Sequence, residues 1–196
     1  MLATRSLFLR FTSLLASALM LTACASAPKP AEPPPAVRLA IAQTERGVMI
    51  WLPDNVLFDF GKADLNTTES GPYLDRVVQL LKDKTTHNVA LEGHTDSVGS
   101  AAANKALSEK RATVVRDALL ARGLPKERTQ VTGLGEEKPI APNDSELGRK
   151  LNRRVELIIL GETVENLTRG EPANAFEAAF DKLRDQLEAK LKREPS

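Results

Sequence analysis

The central part of the chain opens with two apolar runs around Glu45-Arg46-Gly47, in RLAIAQTERGVMIWLPDNVLFDF, residues 38–60. Strand-forming residues on both sides of a Gly-bearing break predict a hairpin or an extended β entry. Residues 48–52 form a strand in this reading, and 56–58 prolong it. Between 70 and 84, Leu74, Val77, Val78 and Leu81 recur at helical spacing, with Pro72 near the first turn. NVALEGHTD then alternates as a strand does: Val89, Leu91 and Gly93 face one way, Ala90, Glu92, His94 and Asp96 the other. A second helix is predicted over 101–122, with an apolar seam of Leu107, Val114, Ala118 and Ala121 and a glycine cap at Gly123. Residues 129–133 and 153–160 read as the last two strands, joined directly through a loop rich in Gly and Pro. The order β-α-β-α-β-β predicts an α+β sandwich with two main helices on one face of a mixed sheet. About 115 residues are enough to bury a core of this kind.

Outside this stretch the pattern changes three times. Residues 1–23 carry Arg5 and Arg10, an apolar run from Phe11 to Ala23 and small residues before Cys24. A basic start and a run shorter than the roughly 20 apolar residues of a spanning helix predict a secretory signal. Leu21-Thr22-Ala23-Cys24 resembles the bacterial lipobox, which implies that Cys24 is the lipidated first residue of the mature chain. Ala rather than Asp at position 25 implies sorting to the outer membrane, so the expected location is lipid-anchored there, facing the periplasm. Residues 24–37 form a Pro/Ala-rich tether able to reach about 40 Å in polyproline II geometry. At the other end, Phe176, Phe180, Leu183, Leu187 and Leu191 make one stripe, predicting an amphipathic helix over 171–194. Such a helix either docks back on the domain, taken as 38–161, or serves a partner.

Composition removes several functions. A net charge of +1 gives no basic footprint for nucleic acid. Aromatic residues are 4% of the chain, so the core should be aliphatic. A single cysteine excludes an internal disulfide or a cysteine-based zinc cluster. His94 reads as a hydrogen-bonded structural residue and His87 lies in a polar loop. No serine stands in a G-x-S-x-G elbow. The expectation is a protein that is not an enzyme and uses no metal or cofactor.

The candidate chemistry lies in LEGHTDSVGSAAANKALSEKRA, residues 91–112. Asp96 ends a strand at the mouth of the second helix. On that helix Ser108 lies about 40° from Asn104, and Arg111 about 20° from it on the other side. Spacing alone leaves two readings open. One is a structural Asp96–Arg111 salt bridge; the other is a clamp for a ligand carrying an ammonium and a carboxylate.

The series GHTDSVG, NKALSEKRA, GLGEEKP and GRKLNRRVEL, with NVLFDFGKADL before it, resembles the OmpA-like peptidoglycan-binding domain, found in Pal lipoproteins, OmpA and flagellar stator proteins. The resemblance implies non-covalent binding of the meso-diaminopimelate in the peptidoglycan stem peptide. It implies that Asp96 takes the ammonium, Arg111 the neighbouring carboxylate, Asn104 the peptide, and that Ser108 supports the helix edge. Asp59 and Arg154 resemble residues lining the same cleft. Leu134 stands where relatives often carry an aromatic or basic residue. Pal-like proteins also bind the periplasmic propeller protein TolB, so the alternative function is protein interaction through the same cleft or the C-terminal helix.

Overall fold

A computed structural model of the protein describes residues 37–59, 62–172 and 174–178. The signal segment, Cys24, most of the tether and most of the expected C-terminal helix lie outside the described residues.

Strands β1 (Leu39–Thr44) and β2 (Gly47–Pro53) form the predicted antiparallel hairpin, with Thr44 opposite Gly47 and Ala40 opposite Trp51. There follow a turn of helix α1 (Asp54–Leu57), helix α2 (Thr67–Asp83), β3 (Val89–His94), helix α3 (Ala101–Ala121) and β4 (Thr129–Gly135). A short helix α4 (Glu146–Asn152), β5 (Arg154–Leu160), a short α5 (Val164–Thr168) and β6 (Phe176–Ala178) complete the order. The six strands make one sheet, β4-β3-β5-β2-β1-β6, in which β3–β4 and β1–β6 are parallel and the other pairs antiparallel. The expected α+β sandwich with a mixed sheet is the fold observed.

Alternation along the strands divides the sheet into two faces. Leu39, Ile41, Val48, Ile50, Leu52, Val89, Leu91, Val155, Leu157 and Ile159 share one core with the apolar faces of α2 and α3. The other face gathers Ala40, Ala42, Met49, Trp51, Ala90 and Ile158 with Leu151 of α4. The stripe expected on α2 (Leu74, Val77, Val78, Leu81) is fully in the core. That helix starts three residues before the expected 70, because Asn66 caps it by accepting the Glu69 N–H. Pro72 therefore sits beyond the first turn.

Four expectations fail locally. Residues 56–58 do not prolong β2, since Pro53 withholds an N–H and the chain turns into α1. The passage from β4 to β5 is not direct but carries α4, capped by Ser145. Residues 176–178 are not helical: they add β6 beside β1, with Phe176 opposite Leu39. The buried line of α3 is Asn104, Ser108, Arg111, Ala112, Val115 and Leu119, while Leu107, Val114 and Ala118 flank it and Ala121 is exposed.

Candidate functional site

The polar residues of α3 are buried because the helix lies directly on strand backbone. A Cβ at Gly93 would collide with the Ser108 carbonyl, and one at Gly133 would come within 2.5 Å of the Glu109 nitrogen. Close approach lets side chains fasten the helix to the strand ends. The Ser108 hydroxyl accepts the Gly135 N–H at 2.9 Å and donates to the Lys105 carbonyl at 2.8 Å. Asn104 Nδ2 donates to the Asp96 carbonyl at 3.3 Å and to Glu136 Oε2 at 2.6 Å. Asn104 and Ser108 thus hold α3, β4 and the β3–α3 turn together.

Asp96 does not end the strand as expected: β3 stops at His94, and Asp96 opens the turn that follows. Its Oδ1 accepts the Val98 N–H at 3.1 Å, which fixes the carboxylate, and its Oδ2 accepts from Arg153 Nη1 at 2.7 Å. Arg111, only 2% exposed, has a different partner from the one spacing suggested. Its Nη1 lies 2.8 Å from Asp54 Oδ1, and its Nε and Nη2 both donate to the Lys62 carbonyl, at 3.0 and 2.9 Å. Its guanidinium stands 5.1 Å from the centroid of the Phe58 ring. Arg153 Nε lies 4.0 Å from Asp54 Oδ2, and Nη2 lies 2.9 Å from Glu146 Oε1. The result is a row of alternating charge, Arg111–Asp54–Arg153–Asp96, with Glu146 at its outer side.

Burial raises the pKa of Asp54, against the pull of Arg111 and Arg153. Burial likewise lowers that of Arg111, with Asp54 opposing. For Arg153 burial also works against the charge, but hydrogen bonds to Asp96 and Glu146 outweigh it and raise the pKa. The inner pair is therefore strained by desolvation, whereas the outer arginine is held firmly charged.

Beside the row opens a cleft of about 330 Å³ whose lining includes Asp54, Phe58, Asp59, Glu69, Lys150 and Arg153. Asp59 is at its mouth, exposed and paired with Lys62 at 3.1 Å. Asp96 adjoins the cleft through Arg153. Arg154 is not brought to this place. Strand alternation turns it to the far side of the sheet, where it pairs with Glu156 at 2.7 Å and donates to the Lys138 carbonyl. Its neighbour Arg153 occupies the cleft instead. Leu134 is half-buried in β4.

Sequence reasoning missed Asp54, Arg153 and Asn152. Asn152 is fully buried and ties the loop before α4: its Oδ1 accepts from the Ile140 and Ala141 N–H groups, and its Nδ2 donates to Ala141 and Asn143. The dipeptide Pro53-Asp54 after a strand, and the paired arginines of NRRVE, were the available signals.

Across the sheet, Glu92, His94 and Glu156 offer ligand atoms within 4.8 Å of one another. Each carboxylate already faces a guanidinium, Glu92 that of Arg46 and Glu156 that of Arg154, so the group is poorly suited to a cation. Neither ring nitrogen of His94 has a hydrogen-bond partner, contrary to expectation. Burial, with Arg154 and Lys138 adding to it, lowers its pKa to about 3 and keeps the ring neutral.

A two-layer α+β domain with an ionic cleft at one end of its sheet defines the class. Residues 57–153 match the OmpA family, and through them the chain belongs to that family. The "Probable lipoprotein YiaD" of Escherichia coli is 33% identical over 121 residues, 62% of this chain and 55% of that one. The "Peptidoglycan-binding protein ArfA" of Mycobacterium tuberculosis is 42% identical over 86 residues, 44% of this chain and 26% of that one. Among solved structures, the cell wall anchor of the T6SS from Pseudomonas aeruginosa superposes with a TM-score of 0.57 at 29% identity, covering 63% of this chain and 87% of that one. The chain spans between 14% and 55% of the length of the first curated relatives it matches.

Proposed function

We propose that the protein is an outer-membrane lipoprotein that binds peptidoglycan non-covalently through the meso-diaminopimelate of the stem peptide, tethering membrane to wall. The observation that carries the reading is Asp96: a carboxylate fixed by a backbone N–H at the mouth of α3, whose outer oxygen already holds a cationic group, the Arg153 guanidinium. A ligand ammonium finds there the charge and geometry it needs. Family membership and the names borne by ArfA and the cell wall anchor support the same reading. Lipid on Cys24 holds the other end. Modest affinity for one stem peptide suffices, because the wall offers many sites and the anchor confines the domain near them. No bond is made or broken in this function.

Titration calorimetry of the full chain in detergent with a diaminopimelate-containing tripeptide tests it. Binding that Asp96→Asn abolishes, with the fold intact by circular dichroism, is the expected result. No heat with the unaltered chain would sink the proposal. A second reading, engagement of a periplasmic protein at the same place, is favoured by Val98 and Ile140. These are the exposed large apolar side chains among the described residues, Val98 at 66%, and they lie two residues after Asp96 and in the loop tied to Asn152.

A further inference from the structure

The face of the sheet turned away from α2 and α3 carries a straight apolar row. Register sets Ala42 of β1 against Met49 of β2, Met49 against Ile158 of β5, and Ile158 against Ala90 of β3. Four side chains therefore line up across four strands on one side of the sheet. Each of these residues is 9% exposed or less. Among the described residues, the apolar groups that join this face from outside the sheet are Ala141, Leu147 and Leu151. Leu147 and Leu151 stand with Trp51 and Pro53, at the cleft end of β2. Ala42 and Met49 lie two residues further from that end along their strands. Their burial calls for a second cover.

Strand β6 points to what supplies it. Phe176 is opposite Leu39 and Ala178 opposite Ile41, so the chain leaves β6 level with Ala42, at one end of the row. The sequence that follows, AFDKLRDQLEAKLKR over 179–193, keeps four of the five stripe residues: Phe180, Leu183, Leu187 and Leu191. Lys182, Asp185 and Lys192 fall on the opposite side of the same helical wheel. At about 1.5 Å per residue the stripe is about 16 Å long, and the row, three strand spacings, is about 14 Å. The alanines at the two ends of the row leave room for larger side chains laid over them. Arg46 reaches Glu92 on β3 from the hairpin turn and borders the row there, so its aliphatic stem meets the end of the stripe.

We infer that residues 180–191 form a helix laid across this row from Ala42 towards Ala90, making a third layer behind the sheet. The apolar stripe is then buried within the chain, and neither a partner protein nor a second copy docks on it. This inference is independent of the peptidoglycan reading. Hydrogen exchange read by mass spectrometry, on the full chain in detergent, tests it first. Amides of 180–191 should exchange slowly in the unaltered chain and fast in Ala42→Gln, which puts a polar side chain under the helix. Fast exchange in the unaltered chain, or protection unchanged in Ala42→Gln, would overturn the inference. Urea denaturation followed by Trp51, the single tryptophan, supplies the coupling. Leu183→Asp together with Leu187→Asp should lower the folding constant by about tenfold or more, the least that uncovering a leucine costs. Ala42→Gln should lower it in the unaltered chain, but by less than about threefold once both leucines are changed, as at an open surface. Fully additive losses would overturn the inference. So would a dimer, seen by light scattering, that the leucine changes dissolve, since the stripe would then lie between copies.

Discussion

Removing the Asp54 carboxylate leaves the Arg111 guanidinium buried over Phe58 with only the Lys62 carbonyl to face. Asp54→Ala should therefore cost about 3–5 kcal/mol of stability, as breaking a buried ion pair does. Asp59→Ala, at an exposed pair with Lys62, should change it by less than about 1 kcal/mol. Urea denaturation of both variants checks the contrast; equal costs would mean that Asp54 is not the structural partner. His94 supplies a pH signature. Its folded pKa of about 3 lies below the ordinary 6.5, so between those values the unfolded chain binds more protons and stability falls with acidity. At pH 4.5 the loss from this group should be about 2–3 kcal/mol. The unaltered chain should thus lose that much more than His94→Gln between pH 7 and 4.5, and parallel profiles would contradict it. The residue scale is also where the sequence was least legible. Motif resemblance fixed the blocks, but in a strand the next residue faces the other way, so Arg154 stood in for Arg153. Likewise Asp59 drew attention from the buried Asp54 five positions before it.

At the scale of elements, α3 shows both what periodicity can and cannot reveal. Its limits were read to within one residue, yet its apolar seam was misplaced, because the strand surface beneath it is glycine backbone and rewards small or hydrogen-bonding side chains. Ser108 and Asn104 fill that line, where a search for large apolar residues finds Leu107 and Val114 instead. Gly93→Ala would drive a methyl group into the Ser108 carbonyl, which can move only with the helix. Its cost should be about 3 kcal/mol or more, at or beyond the upper end for overpacking, with ligand affinity falling as Asp96 and α3 separate. A lowered urea midpoint with weakened calorimetric heat is the expected pair of results; a neutral substitution would show that the helix rides more loosely than the contacts indicate. Strands β1, β2, β3 and β5 were legible from alternation and from β-branched content. The short apolar run at 56–58 was not, since three residues fit a strand or a helical turn equally well. Phe176 served a helical stripe on paper and a sheet edge in the fold, where Arg76 stands 5.9 Å from its ring centroid.

For the whole molecule, the sequence conveyed the class of fold and the family, because five motif blocks fall in order around one sheet. It could not convey β6, which depends on a long-range pairing with β1. That pairing has a mechanical consequence. Because β1 and β2 are antiparallel, the chain enters the domain at Leu39 beside the end of β2, where Asp54 opens the cleft. Arg153 just before β5 and Asp96 just beyond β3 lie at this same end. Under the proposed tethering, a pull between an N-terminal anchor and the wall would run tension across the strands from β1 to β3, three spacings or roughly 14 Å, along the direction of the ladder bonds. A strand pulled that way opens one bond at a time. Here β1 is enclosed: β6 flanks it from Leu39 to Ile41, Leu39 donates to the Ala175 carbonyl, and Glu171 pins the returning segment to Arg76 and Lys84 of the α2 region. Deleting residues 171–196 should leave calorimetric affinity within about twofold, the ordinary reach of a distant change, yet lower the force at which a surface-held chain ruptures in single-molecule pulling. The last strand would then serve as a seat belt over the first, idle at rest and engaged when the envelope is stretched.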